Sequence, residues 1–152
     1  MGDFGPWVSE TFDVDVLVHA THRASPFHDK AKTLVERFLA GPGLVYLLWP
    51  VALGYLRVVT HPTLLGAPLA PEVAVENIEQ FTSRPHVRQV GEANGFWPVY
   101  RRVADPVKPR GNLVPDAHLV ALMRHHGIAT IWSHDRDFRK FEGIRIRDPF
   151  SG

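Results

Sequence analysis

Polar and apolar positions alternate over residues 9–14, with Phe12 and Val14 on one side, the pattern of a half-buried strand. The segment 16–20, Val-Leu-Val-His-Ala, fits two elements equally: a continuation of that strand, or a helix opening after Asp15. From 26 to 40 the period lengthens. Phe27, Ala31, Leu34, Val35, Phe38 and Leu39 form the apolar stripe of a helix. Ser25 is placed to cap it, Pro26 suits its first turn, and Gly41-Pro42 ends it.

The run 44–48 is apolar throughout, as in a parallel strand covered on both faces. Helices are predicted over 50–60 and 72–81, with a loop over 68–71 between them and a short strand over 87–90 after them. A further helix is read over 92–103, despite Gly95 and Pro98, and a loop rich in proline and basic residues over 105–111. The clearest helix spans 115–126, with Leu119, Val120, Leu122 and Met123 on its apolar side and Gly127 to stop it. A strand over 128–132, a turn or short helix over 136–141 and a last strand over 144–146 complete the chain. Alternation of this kind predicts an α/β sandwich around a mostly parallel sheet. In such sheets, sites open beyond the carboxyl ends of the strands.

Composition narrows the function classes. The 152 residues are the length of one domain, with 45% hydrophobic and 22% charged side chains, so residues 1–152 are read as one folded unit. The absence of cysteine removes thiolate zinc sites, iron–sulfur clusters, cysteine nucleophiles and disulfides. Seventeen basic against sixteen acidic residues give a net charge of +1, which is not the balance of a protein that coats nucleic acid through charge alone. There is no apolar run long enough for a membrane helix and no signal-peptide pattern at the N-terminus. Met1-Gly2 opens as a myristoylation signal would, but Pro6 stands where Ser or Thr is required. A soluble, cytoplasmic protein is expected.

The acids carry the chemistry. Asp13 falls at the end of the first strand, Asp135 and Asp137 follow the strand 128–132, and Asp116 lies in the first turn of the clearest helix. In a parallel sheet these positions meet at one edge. Clustered carboxylates repel by about 4 kcal/mol per pair at 4 Å and an effective dielectric of 20. They persist together by sharing protons or binding cations, and oxygen-only ligands favour Mg²⁺ or Mn²⁺. The plainer reading makes Asp116 a dipole-stabilised first-turn residue and Asp135 and Asp137 turn residues. A carboxylate at Asp13, within an apolar segment, still needs a partner. The nine histidines include no tight zinc spacing. Trp7, Trp49, Trp97 and Trp132 read as core or partner-facing aromatics, with Trp132 in the core.

Three segments carry a family resemblance. Phe-Asp-Val-Asp-Val-Leu-Val-His-Ala at 12–20 resembles the opening motif of PIN-domain proteins. Gly-Asn-Leu-Val-Pro-Asp-Ala-His-Leu-Val-Ala-Leu at 111–122 resembles their second signature. Ser-His-Asp-Arg-Asp-Phe at 133–138, with Phe141, Gly143 and Asp148-Pro149, resembles the third. The stretch 54–62 is similar to a segment of VapC toxins, and the match runs over about 9–149.

The resemblance implies a PIN-like three-layer α/β/α sandwich with a mostly parallel sheet of four or five strands. It also implies a toxic, Mg²⁺- or Mn²⁺-dependent endoribonuclease of a type II toxin–antitoxin pair. Such an enzyme hydrolyses RNA with a metal-activated water, is neutralised by a VapB-like antitoxin and is usually a homodimer. By the same resemblance, Asp13, Asp116 and Asp135 match the metal-binding acids, Asp137 assists or completes the set, and a helix begins within 16–22. Arg57, Lys108, Arg110 and Arg136 are candidates for RNA phosphates. One position departs from the pattern: the family's second acid would fall at Gly54, which offers no ligand. The alternative is therefore a catalytically silent PIN-fold module that binds RNA or protein.

Overall fold

The computed structural model describes residues 9–151, so the readings at Met1, Gly2, Pro6 and Trp7 lie outside the described residues. Five strands, β1 (Glu10–Phe12), β2 (Val45–Leu48), β3 (Val87–Val90), β4 (Thr130–Trp132) and β5 (Arg145–Arg147), form one sheet in the order β3-β2-β1-β4-β5. Every pairing is parallel, with Phe12 opposite Trp132 and Glu10 opposite both Val45 and Thr130.

The connections are α1 (Val14–Thr21), α2 (His28–Ala40), α3 (Trp49–Val59), α4 (Pro71–Thr82), α5 (Phe96–Ala104) and α6 (Leu113–His126), with a 3₁₀ turn at Arg136–Lys140 before β5. Strand order runs outward from β1 to β3, then restarts on the other side of β1. With right-handed crossovers, this reversal puts α1–α4 on one face and α5 and α6 on the other. Contacts follow that division: α1 packs on α2 and α3, α3 on α4, and α5 on α6. On the α1–α4 face, the fully buried Phe12 ring lies 5.1 Å from those of Phe38 and Phe81. No helix among the described residues is long and apolar enough to cross a membrane.

The structure resolves the ambiguous segment. β1 stops at Phe12, earlier than the strand predicted over 9–14, because the Asp13 side chain accepts the Val14 N–H at 2.7 Å and caps α1. The second helix starts at His28 rather than 26. Ser25 accepts the Phe27 N–H with its side chain and the His28 N–H with its carbonyl, which makes a turn instead of a cap. α5 starts at Phe96 rather than 92, since Gly95 takes a left-handed conformation with φ 85°. α6 begins two residues before the predicted 115, with Pro115 in a first turn that needs no N–H from it.

Trp132 is a correction of another kind. It was expected in the core but is only partly buried, and its indole N–H donates to Glu10 at 2.9 Å. The Arg147 guanidinium lies 4.5 Å and that of Arg37 5.5 Å from its ring. Trp132 shares the face of its buried neighbour Phe12 but lies one strand further out, beside Arg37 of α2, where it is covered only in part.

Candidate metal centre

The reversal at β1 opens a crevice beyond the carboxyl ends of β1 and β4, the place where parallel sheets bind ligands. Asp13 enters it as the cap of α1, and its main-chain N–H continues the β1–β4 ladder to Trp132 O at 2.9 Å. Asp135 enters from the turn after β4, where its side chain caps the 3₁₀ turn by accepting the Asp137 N–H at 2.9 Å. Asp116 comes from the first turn of α6 and is buried, with 7% of its surface exposed. Each offers an oxygen, and the three oxygens lie within 4.8 Å of one another.

Ser133 ties two of these acids together. It is 1% exposed, donates its hydroxyl to Asp13 Oδ2 at 2.9 Å and accepts the Asp135 N–H at 3.0 Å. Asp15, one position into α1, accepts the His134 N–H at 2.9 Å. Its other oxygen, and Oδ2 of Asp116, are buried without a hydrogen-bond partner. His134 in turn directs Nδ1 at both oxygens of Asp148, at 3.0 and 2.9 Å.

The site is electrostatically unbalanced. Burial raises the Asp116 carboxyl to about 8, helped by a proton shared with Asp135 and by the charges of Asp135, Asp13 and Asp137. Asp15 is raised to about 7 by burial and then by Asp13, against the His134 N–H. Asp13 is raised by burial beyond what the Val14 N–H and Ser133 lower. Asp148 moves the other way: burial raises it, but the Phe150 N–H and His134 lower it further, to a net depression. A cluster that holds protons this tightly resists ionising, and a bound cation would take the protons' place by neutralising the carboxylates. An Mg²⁺–oxygen distance of about 2.0–2.1 Å sets ligands no more than about 4.2 Å apart, so these carboxylates would close slightly or hold the ion partly through water.

Not every sequence candidate joins the group. Asp137 is exposed, pairs with Lys140 at 3.3 Å and influences the group by its charge on Asp116. Arg136 is exposed beside Asp148, and Arg57 is exposed on α3. Lys108 and Arg110 are exposed on the loop that leads into α6, and the Lys108 ammonium reaches Asp105 O at 3.4 Å. A side chain at 54 would start 3.0 Å from Val14 Cγ2, so Gly54 is both without a ligand and short of space for one. Sequence reasoning assigned no role to Ser133, Asp15 or Asp148, and it read His134 as flanking the acids without pairing it to Asp148. The signal for Asp15 was present in the Asp-x-Asp spacing, but its use emerges only once 14–21 is helical.

The fold and the sequence are both shared with known proteins. The family whose model matches is the PIN domain, over residues 11–144. The sequence is 99% identical over 145 residues to ribonuclease VapC48 of Mycobacterium tuberculosis, covering 95% of this chain and 100% of that protein. In fold it is similar to the crystal structure of Mycobacterium tuberculosis VapC20, described as a sarcin–ricin loop cleaving toxin. There the TM-score is 0.63 at 19% identity, over 90% of this chain and 98% of that one. It is likewise similar to VapBC2 from Rickettsia felis, bound to a DNA fragment from their promoter, with a TM-score of 0.67 at 11% identity over 92% and 98%. The chain therefore belongs to the PIN-domain family and, within it, to the VapC group.

Proposed function

We propose that the chain is a cytoplasmic endoribonuclease, the toxin of a VapBC pair, acting as one folded unit with Mg²⁺ or Mn²⁺. The observation that carries this reading is the convergence of Asp13, Asp116 and Asp135 at the sheet's switch point, with their oxygens within 4.8 Å. The near identity to a protein named a ribonuclease supports the reaction, and the resemblance to a VapBC complex supports a VapB-like antitoxin as partner.

Asp13 and Asp116 hold the cation and Asp135 completes the set, while Asp137 adds negative charge from outside. When bound, a divalent cation supplies Lewis-acid activation of water and neutralisation of phosphoryl charge. The chain's own part is positional. Ser133 keeps Asp13 and Asp135 in fixed relation, and the Asp13 cap fixes its carboxylate to the start of α1. Lys108, Arg110, Arg136 and Arg57 meet RNA phosphates from the surface around the crevice. Exposed Trp49, Leu53 and Trp97, at 43%, 64% and 63%, support a homodimer contact on α3 and α5.

Gly54 favours a second reading, a silent module, because it leaves the site one acid short. One experiment separates the two: incubation of total bacterial RNA with the purified protein and Mn²⁺ or Mg²⁺, beside EDTA and Asp116→Asn controls. Discrete metal-dependent fragments, absent with the variant, are expected. A folded, antitoxin-free protein that cleaves nothing with either metal would favour the silent module.

A further inference from the structure

The three carboxylates of the candidate centre repel one another, so the backbone that carries them must resist being pushed apart. For Asp13 and Asp116 a helix supplies that resistance. Asp135 sits instead on a short segment between β4 and a 3₁₀ turn, where regular hydrogen bonding is interrupted. What holds this segment is a set of contacts centred on His134.

Those contacts come from three parts of the chain. The His134 main-chain N–H goes to Asp15 on α1 at 2.9 Å. The Ser133 N–H goes to Arg147 O at the end of β5, also at 2.9 Å. The His134 ring packs 5.1 Å from Phe27 and 5.4 Å from Phe150, which stack on each other at 4.5 Å with their planes 10° apart. Its Nδ1 meets both oxygens of Asp148, whose Oδ1 also accepts the Phe150 N–H at 2.9 Å. Asp148 is thus anchored to its own backbone, with 22% of its side chain exposed. It is a fixed post rather than a mobile surface charge, and the His134 ring is held between it and two phenyl rings.

We propose that Asp148 is a positioning residue for the candidate metal centre: through His134 it holds the Ser133–Asp135 segment, and so the Asp135 carboxylate, against the repulsion of Asp13 and Asp116. The inference rests on the reading of the three acids as a cation site. It differs from a merely structural role in a definite way. A staple for the C-terminal segment would change thermal stability alone, whereas a positioning residue changes the affinity for the cation.

The test measures Mn²⁺ affinity by titration calorimetry, with thermal melting beside it, on wild type, Asp148→Ala, His134→Ala, the double variant and Asp148→Asn. Loss of outer-shell support typically weakens metal binding about 10–100-fold, and a loss in that range is expected for Asp148→Ala. His134→Ala should lose a similar factor and the double variant no more than either single, because all three break one contact. Asp148→Asn keeps an oxygen that can accept both bonds and should recover most of the affinity. If Asp148→Ala proves too unstable to titrate, His134→Ala and Asp148→Asn carry the comparison. Wild type that binds Mn²⁺ while the variants bind it equally well would overturn this inference and leave the cation site standing. Wild type that binds no divalent cation would overturn both.

Discussion

Ser133 and Asp13, 120 residues apart in sequence, are joined by a 2.9 Å hydrogen bond across the mouth of the β1–β4 crevice. The hydroxyl links the acid that follows β1 to the segment that follows β4. It is buried, so no solvent replaces it if it is lost.

Ser133→Ala is therefore expected to cost about 1–3 kcal/mol, since it strands a buried carboxylate oxygen and the Asp135 N–H together. Urea denaturation in EDTA measures this. Unchanged stability would show that the two groups find other partners.

Asp13 caps α1 and, on the proposed reading, also holds the cation. Asp13→Asn keeps a good cap for α1 and should leave stability nearly unchanged while abolishing metal-dependent RNA cleavage. Asp13→Ala should lose cleavage as well and cost about 1 kcal/mol more through the missing cap. Cleavage gels and melting curves on the same preparations test both. An Asn variant that still cuts RNA would remove Asp13 from the site.

Metal-free protein should weaken as pH rises from about 6.5 to 9. Asp15 and Asp116 are raised in the folded state to about 7 and about 8, against 3.8 for the unfolded carboxyl. Over this range the folded state binds more protons than the unfolded one, so stability falls with rising pH until both groups are ionised. Below that range His19, lowered by burial and nearby histidines, acts in the opposite sense. Denaturation midpoints in EDTA should therefore decline above pH 6.5, and Mn²⁺ should flatten the decline. A flat EDTA profile would mean that these carboxyls ionise without penalty.

Gly54→Ala would ordinarily gain about 1 kcal/mol from helix propensity. Here the new Cβ lies 3.0 Å from Val14 Cγ2, so the gain should be absent in wild type and return in a Val14→Ala background. Gly54→Glu should not raise RNA cleavage, because its stem pushes on the first turn of α1, which Asp13 caps. Cleavage above wild type by that variant would show that the turn yields and that a fourth acid is usable.

Much of this arrangement was legible in the residues. The apolar run at 44–48 and the helix ending at Gly127, which has φ 70°, needed only local pattern, and both formed as β2 and α6. Val-Asp-Val-Leu-Val was not decidable locally, since alternation suits a strand and a capped start suits a helix. The Asp13 cap and burial against α2 and α3 decided it. Trp132 was misplaced because hydrophobicity alone cannot tell that its indole N–H would find Glu10. Asp13 and Asp135 were visible beside strand ends and Asp116 in the first turn of a helix, but Ser133, Asp15 and the His134–Asp148 pair act through contacts between distant segments.

The strand order also sets a schedule. Asp13 is made early, but its neighbours in the crevice arrive with α6 and with the turn after β4, and β4 must insert beside β1 before they can meet. A translation product halted before α6 carries one of the three clustered acids and no centre. Whatever the assembled site does to nucleic acid, a ribosome making this chain is shielded from it by topology until the polypeptide has been extended past Asp135.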